Sequence, residues 1–171
     1  AVPCYNSQEY MSHAIESILV GGEDVEIIIV NDGSSDDTSK IAHEYEEKYP
    51  TIIKAVDKEN GGHGDAVNSG LTHATGKYFK VVDSDDWGDA EALRKILKFL
   101  KKLESEDEEV DVLISNYVYE KVGATHKKCI HYRNVLPQNK IFKWEEIGRF
   151  HLDQYILMHS VIYRTQLLRE C

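Results

Sequence analysis

Three carboxylates fall within four residues at Asp83-Ser84-Asp85-Asp86, directly after the apolar stretch Tyr78 to Val82. Two like charges ~4 Å apart repel by roughly 4 kcal/mol at an effective dielectric of about 20. Such a cluster at a strand end calls for water or a cation to screen it. Hard divalent cations such as Mg²⁺ take oxygen ligands, commonly one or two carboxylates together with substrate phosphates. The alternative reading of this motif alone is a solvated turn in which Asp86 caps the next helix.

Two further polar clusters follow apolar stretches. In Asn31-Asp32-Gly33-Ser34-Ser35-Asp36-Asp37-Thr38, Gly33 permits a tight turn and Ser35 or Asp36 can cap a helix. Asp32 sits directly after the strand, where its carboxylate can accept from the donor edge of a base. A plain turn plus cap accounts for Ser35 to Thr38 but leaves Asp32 unexplained. Asn60-Gly61-Gly62-His63-Gly64 feeds a helix N-terminus, whose free N–H groups and dipole suit an anion. It matches neither a dinucleotide-binding GxGxxG nor a P-loop, because the spacing differs and no Lys-Ser/Thr follows. His63 is either a phosphate contact or an exposed loop histidine. His131, His151 and His159 lie in the last third, and His159, in an apolar stretch, reads as a semi-buried structural residue rather than a metal ligand.

The elements around these clusters alternate. Asn6 to Glu9 reads as a helix start capped by Asn6, and Met11, Ile15, Ile18 and Leu19 recur at helical spacing until Gly21-Gly22. Val25 to Val30 and Ile52 to Val56 read as buried strands, with a helix carrying Ile41, Ala42 and Tyr45 between them. Ala66, Gly70 and Ala74 form a small-residue helix stripe suited to close packing on a sheet. Tyr78 to Val82 is another strand, and Leu93 to Leu103 an amphipathic helix. The acidic run Glu104 to Asp111 reads as a solvated loop. Beyond it, Val112 to Tyr119 is expected as a strand, turned at Gly123 into a partner through Thr125 to Tyr132. Trp144 to Phe150 is expected as a short helix, Met158 to Tyr163 as a strand, and Thr165 onward as a helix. The alternation predicts an α/β fold, a mainly parallel sheet with helices on both faces, and a ligand site beyond the carboxyl ends of the strands. That edge holds Tyr5-Asn6, Asn31-Asp32, Asn60 to Gly64 and Asp83 to Asp86.

The length of 171 residues fits one domain. The formal charge of −10 lacks the basic footprint of a nucleic-acid binder, so an anionic ligand needs local help from a metal ion or backbone N–H groups. Cys4, Cys129 and Cys171 are few and widely spaced, which makes a reducing compartment the default and points to the cytoplasm. No apolar run approaches the ~20 residues of a membrane span. The chain opens in what reads as a strand already in progress and closes within a helical pattern. The expectation is a piece of a longer protein, cut at both ends.

Taken in order, these clusters resemble glycosyltransferase family 2, with its GT-A fold. The resemblance covers Val2 to about Trp87, and more loosely His159 to Leu168. It rests on Pro3-Cys4-Tyr5-Asn6, on Ile27 to Ser34, on Asn60-Gly61-Gly62 through Ala66, Asn68 and Gly70, and on Val82-Asp83-Ser84-Asp85-Asp86-Trp87. The resemblance implies a nucleotide-sugar donor, with Pro3 and Tyr5 lining the base pocket and Asp32 reading the base, uracil. Asn60 and Gly62 would lie on the donor side and Asp83 near the ribose. Asp85, with Asp83, would hold Mg²⁺ or Mn²⁺ against the diphosphate. Residues 1–103 would form the donor half, and residues 104–171 an incomplete acceptor-side part. Sugar transfer would invert the anomeric carbon. The acceptor would be a carbohydrate or a lipid-linked molecule of cell-surface polysaccharide assembly, met in the cytoplasm or at the inner membrane face. Two departures touch the donor side. Gln8 stands where many relatives have Glu, and Val67 where many have Arg; His63 or Lys80 is the substitute cation considered. The family's general base would lie beyond Cys171, so no base is assigned; Asp153, Glu145 and Glu146 are the fallback candidates. Two other readings remain. One is a non-catalytic nucleotide-sugar-binding module. The other is a sugar-1-phosphate nucleotidyltransferase, which would want a basic Gly-rich loop where Tyr5-Asn6-Ser7-Gln8 stands.

Overall fold

The computed structural model describes residues 1–120, 127–152 and 154–171. Three parallel strands, β1 (Val2–Cys4), β2 (Ile27–Asp32) and β3 (Ile53–Lys58), form a sheet with β2 in the middle. Every residue of β2 is buried, as a central parallel strand covered on both faces must be. Its side chains alternate between two cores. Ile27 and Ile29 pack with Val2, Met11 and Ile15 under α1 (Met11–Leu19) and α2 (Thr38–Lys48). Ile28 and Val30 pack with Ala66 and Ala74 under α3 (His63–His73). The small residues Ala66 and Gly70 are buried, which lets α3 lie close on the sheet.

The second half of the sheet is antiparallel. β4 (Tyr78–Phe79) and β5 (Val112–Ile114) both pair with β8 (Val161–Arg164), the order being β4-β8-β5. The amine of Ala1 donates to the Lys80 carbonyl at 2.7 Å, and the Val82 N–H donates to the Ala1 carbonyl at 3.0 Å. This is the bonding pattern of a parallel pair, so the two sheets meet edge to edge. Strands β4 and β5 run against β8. Their carboxyl ends therefore meet its start, which follows the turn containing His159. α3 leads from β3 into this half, α4 (Ala90–Ser105) joins β4 to β5 within it, α5 (Thr165–Glu170) follows β8, and β6 (Tyr117–Tyr119) pairs antiparallel with β7 (Lys128–Ile130).

Several local expectations are corrected. Asn6 caps no helix. It sits at φ 50° and its Oδ1 accepts the Ser35 N–H at 2.9 Å, tying the loop after β1 to the turn after β2. Asp86 does not cap α4; Asp89 does, accepting the Ala92 N–H at 2.8 Å. Val112 to Tyr119 is two strands in different sheets. The break comes where the Ser115 N–H donates to the Ser160 carbonyl and Asn116 Oδ1 accepts the Tyr132 N–H. The acidic run is not all loop, since α4 continues to Ser105, Glu109 pairs with Lys77 at 2.9 Å, and Asp111 pairs with Arg164 at 2.6 Å. Trp144 to Phe150 yields only a 3₁₀ turn over Trp144–Glu146, and Met158–Ser160 is likewise a 3₁₀ turn ahead of β8. The turn expected at Gly123, with Thr125, lies outside the described residues.

Candidate active site

The carboxyl ends of β1, β2 and β3, with the segment after β4, open onto one cleft of about 440 Å³. Pro3, Cys4 and Tyr5 line it from β1 and its loop, and Asp32 from the end of β2. Asn60, Gly62, His63 and Ala66 come from the glycine loop and α3, and Asp83, Ser84 and Asp85 from the acidic turn. All the residues singled out from sequence for the donor and the metal thus face a common space.

On one side of this cleft the glycine loop is locked to Asp32. The Asp32 carboxylate is nearly inaccessible and accepts the N–H groups of Gly61 at 2.9 Å and Gly62 at 2.8 Å, with Lys58 Nζ at 2.5 Å. Lys58 also pairs with Asp65 at 2.6 Å. Burial works to raise the Asp32 pKa, but these donors outweigh it and hold the carboxyl below its ordinary value. Gly33 takes φ 69°, and a Cβ there would lie 2.7 Å from the Asn60 backbone nitrogen. Gly33→Ala is therefore expected to lose about 2 kcal/mol of stability through backbone strain and this clash. Urea denaturation measures it, and an unchanged midpoint would rule out the interlock of the two loops.

The other side of the cleft is acidic. Asp83 Oδ1 lies 2.8 Å from His63 Nε2. His159 Nδ1 lies 3.2 Å from Asp86 Oδ2 and 3.8 Å from Asp83 Oδ2. One ligand atom from each of Asp83, Asp86 and His159 falls within 4.8 Å of the other two. The His159 Nδ1 atom is buried beside these two carboxylates and has no hydrogen-bond partner among the described residues. Burial, together with the charges of Asp85 and Asp83, pushes the Asp86 pKa up against the pull of His159. Asp85 lines the cleft but is not one of the trio. This arrangement suits a hard divalent cation, because it offers two carboxylates and an unpaired imidazole nitrogen at one point.

Residues that sequence reasoning passed over do the positioning. The Ser7 N–H donates to Thr38 Oγ1 at 2.8 Å, and Ser7 Oγ meets Ser84 Oγ at 2.9 Å, all buried. This pins the acidic turn to the loop after β1 and to α2. Nothing in the local sequence marks those serines, since both partners are distant in the chain. His159 sits in the turn Met158–Ser160 that leads into β8, far in the chain from the carboxylates it meets. Of the two substitute cations considered, His63 lines the cleft. The ammonium of Lys80 instead donates to the carbonyls of His159 and Val161, and burial pushes it down to about 8. Gln8 accepts the Asp37 N–H at 2.9 Å, and Val67 packs against the core beneath α3. Glu145 and Glu146 do not line the cleft; Glu146 accepts from the Lys143 N–H and Lys140. Asp153 lies outside the described residues.

A parallel sheet flanked by helices, with an acidic turn at its carboxyl edge, defines an α/β domain of the GT-A type. The model of "Glycosyl transferase family 2" matches residues 1–165, and the chain belongs to that family. It is 38% identical over 108 residues to "Minor teichoic acid biosynthesis protein GgaB" of Bacillus subtilis, covering 61% of this chain and 12% of GgaB. To "Putative glycosyltransferase EpsH" of the same organism it is 32% identical over 163 residues, covering 86% of this chain and 45% of EpsH. The crystal structure of S. aureus TarS 1-349 in complex with UDP-GlcNAc superposes with a TM-score of 0.71 at 26% identity, covering 99% of this chain and 45% of that one. The chain spans less than half the length of each of these three proteins.

Proposed function

We propose that this chain is the donor-binding part of an inverting, metal-dependent glycosyltransferase that takes its sugar from UDP. The observation that carries the reading is one cleft with a glycine loop and Asp32 on one side and Asp83 and Asp85 on the other, where Asp83 also groups with Asp86 and His159. A nucleoside diphosphate has the matching polarity, a base at one end and a doubly charged diphosphate at the other. The UDP-GlcNAc complex of TarS supports this choice of donor. Pro3 and Tyr5 bound the base, and Asp32 offers its remaining lone pair to an imide N–H. Asn60 and Gly62 shape the loop against the donor, and the free N–H groups at the start of α3 face the phosphates. Asp83 lies between the two sides, toward the ribose and the metal.

Asp83, Asp86 and His159 would hold Mg²⁺ or Mn²⁺, with Asp85 as the further carboxylate nominated by the motif. Bound there, the ion supplies Lewis-acid stabilisation of the leaving diphosphate. The acceptor is proposed to be a carbohydrate or lipid-linked molecule of the cell surface, in keeping with the teichoic acid role printed for GgaB. A cytoplasmic setting at the inner membrane face belongs to the same proposal. Among the described residues no helix is long and apolar enough to cross a membrane.

A thermal-shift panel of UDP, ADP and GDP, each with and without Mn²⁺, tests the donor reading. A ligand at one hundred times its Kd stabilises the folded state by about 2.7 kcal/mol, which raises the midpoint by roughly 5–10 °C for a chain of this size. The largest shift is expected for UDP with Mn²⁺. Equal shifts with all three nucleotides, or no dependence on Mn²⁺, would overturn it.

A further inference from the structure

Behind the cleft, on the side of β3 away from α3, lies a polar chain that the donor reading does not use. Asn31 and Asp57 are register partners on β2 and β3. Asn31 is 6% exposed and its side-chain amide donates to Asp57 Oδ1 at 2.7 Å. Its Oδ1 accepts the Ser34 N–H at 3.1 Å, closing the turn Asn31-Asp32-Gly33-Ser34. Ser34 Oγ in turn accepts the Asn6 N–H at 3.0 Å, beside Tyr5. On its outer side Asp57 is held from α2. Ser39 Oγ donates to Oδ1 at 2.7 Å and His43 Nε2 lies 2.7 Å from Oδ2. The second His43 nitrogen faces Glu46 at 3.2 Å, and Glu46 also accepts the Ala55 N–H. The chain therefore runs without a gap from Glu46 and His43 on the surface to the turn that carries Asp32.

Its chemistry is directional. Asn31 has one amide to donate and one oxygen to accept, and both are spent on orienting the turn. Without an acceptor at position 57, the buried Asn31 amide would lose its partner and swing toward another one, taking the Ser34 contact with it. Asp57 is suited to the task because a carboxylate accepts three donors at once. Burial opposes its charge, but the donors from Asn31, His43 and Ser39 outweigh this and keep its pKa low.

We propose that Asp57 is a positioning residue for donor binding, which acts through Asn31 on the turn bearing Asp32 and is itself braced by His43 and Ser39. The proposal rests on the nucleotide-donor reading of the cleft. Among the described residues the Asp57 side chain bonds to Asn31, Ser39 and His43 and to no cleft-lining residue, so its effect on a ligand is expected to pass through Asn31.

Calorimetry with UDP and Mn²⁺ on this chain tests it, with folding of each variant checked by circular dichroism. Asp57→Ala is expected to raise the UDP Kd about tenfold, the scale of one buried donor left unpaired. Asp57→Asn keeps an acceptor oxygen for Asn31 and Ser39, and is expected to stay within about twofold of wild type. In an Asn31→Ala background, Asp57→Ala should add nothing further, because the path has already been cut. A merely structural role would lower the thermal midpoint of Asp57→Ala and leave its UDP affinity unchanged; that result overturns the proposal. So does an Asp57→Asn variant as weak as Asp57→Ala. If Asn31→Ala does not fold, the comparison of the two Asp57 variants decides alone. A wild-type chain that binds no UDP takes down the donor reading and this one together, whereas wild-type binding that Asp57→Ala leaves intact removes only this one.

Discussion

Asp83→Ala is expected to weaken Mn²⁺-dependent binding of UDP by about hundredfold or more, while the chain stays folded. Removing even an outer partner of a metal ligand costs about 10–100-fold in affinity, and Asp83 is placed as a ligand itself. Its two oxygens face different groups, Oδ1 toward His63 at 2.8 Å and Oδ2 toward His159 at 3.8 Å. Among the described residues it is thus the carboxylate that meets both the glycine-loop helix and the turn leading into β8. The fold should survive, because the turn is pinned by Ser84 to Ser7 and not by the carboxylates. Loss of one negative charge also relieves repulsion with Asp85 and Asp86. Asp83→Asn, which keeps shape and a hydrogen bond to His63, is expected to lose nearly as much metal-dependent affinity. Calorimetric titration of UDP with and without Mn²⁺ reads the effect. Asp86→Ala and Asp85→Ala, measured alongside, divide the motif between the carboxylate that the structure groups with His159 and the one that the sequence motif nominates. If Asp83→Ala bound UDP with the same enhancement by Mn²⁺ as wild type, the acidic trio would not be the metal site.

What the sequence made legible was whatever is decided within a few residues. Ile27 to Val30 is apolar on every residue, and only a strand covered on both faces tolerates that. Ala66 and Gly70, four apart, foretell close packing of α3 on the sheet. Gly33 foretells a left-handed turn, which its φ of 69° shows. Fold class and the lining of the cleft follow from such local signals, because in a parallel sheet every strand delivers its carboxyl end to the same edge. The rest depended on partners far away in the chain. His159 stands more than seventy residues from Asp86, and only the antiparallel return of β8 brings its ring to the acidic turn. Asn6 has the residue type of a cap, but a backbone N–H of the next loop claims its oxygen. Asp89 rather than Asp86 caps α4, a choice set by where the helix axis begins and not by the identity of either aspartate. Asp32 was legible as an unexplained carboxylate. Its three present donors, Lys58 at the end of β3 and Gly61 and Gly62 in the loop after it, were not.

Those three donors make Asp32→Ala the change that should reach both stability and selectivity. Substitution leaves two loop N–H groups and the Lys58 ammonium facing a void beside a nearly inaccessible position. Orphaned amides cost about 1–3 kcal/mol each when they stay buried, and the loop can turn part of that surface to water. A net loss of about 2 kcal/mol is expected, read by urea denaturation. Binding should suffer more. With the loop released, Asn60 and Gly62 no longer hold the donor side of the cleft, and the acceptor for an imide N–H is gone. UDP affinity is expected to fall by about hundredfold and its preference over ADP and GDP to vanish, since a charge-assisted hydrogen bond and the loop's preorganisation go together. Asp32→Asn separates the two effects, because its amide can accept from one loop N–H but cannot take the Lys58 charge. The pH dependence has a definite sign. The folded-state pKa of Asp32 lies below its ordinary value, so its contribution is fully present above about pH 4 and is lost as pH falls through the lowered pKa. The stability gap between wild type and Asp32→Asn should therefore be constant from neutral pH down to about pH 4 and close only below it. A gap that closed near neutral pH would mean that another group carries the interaction. Equal preference for UDP in wild type and Asp32→Ala would place base recognition elsewhere in the cleft, on Tyr5 and the backbone of Pro3.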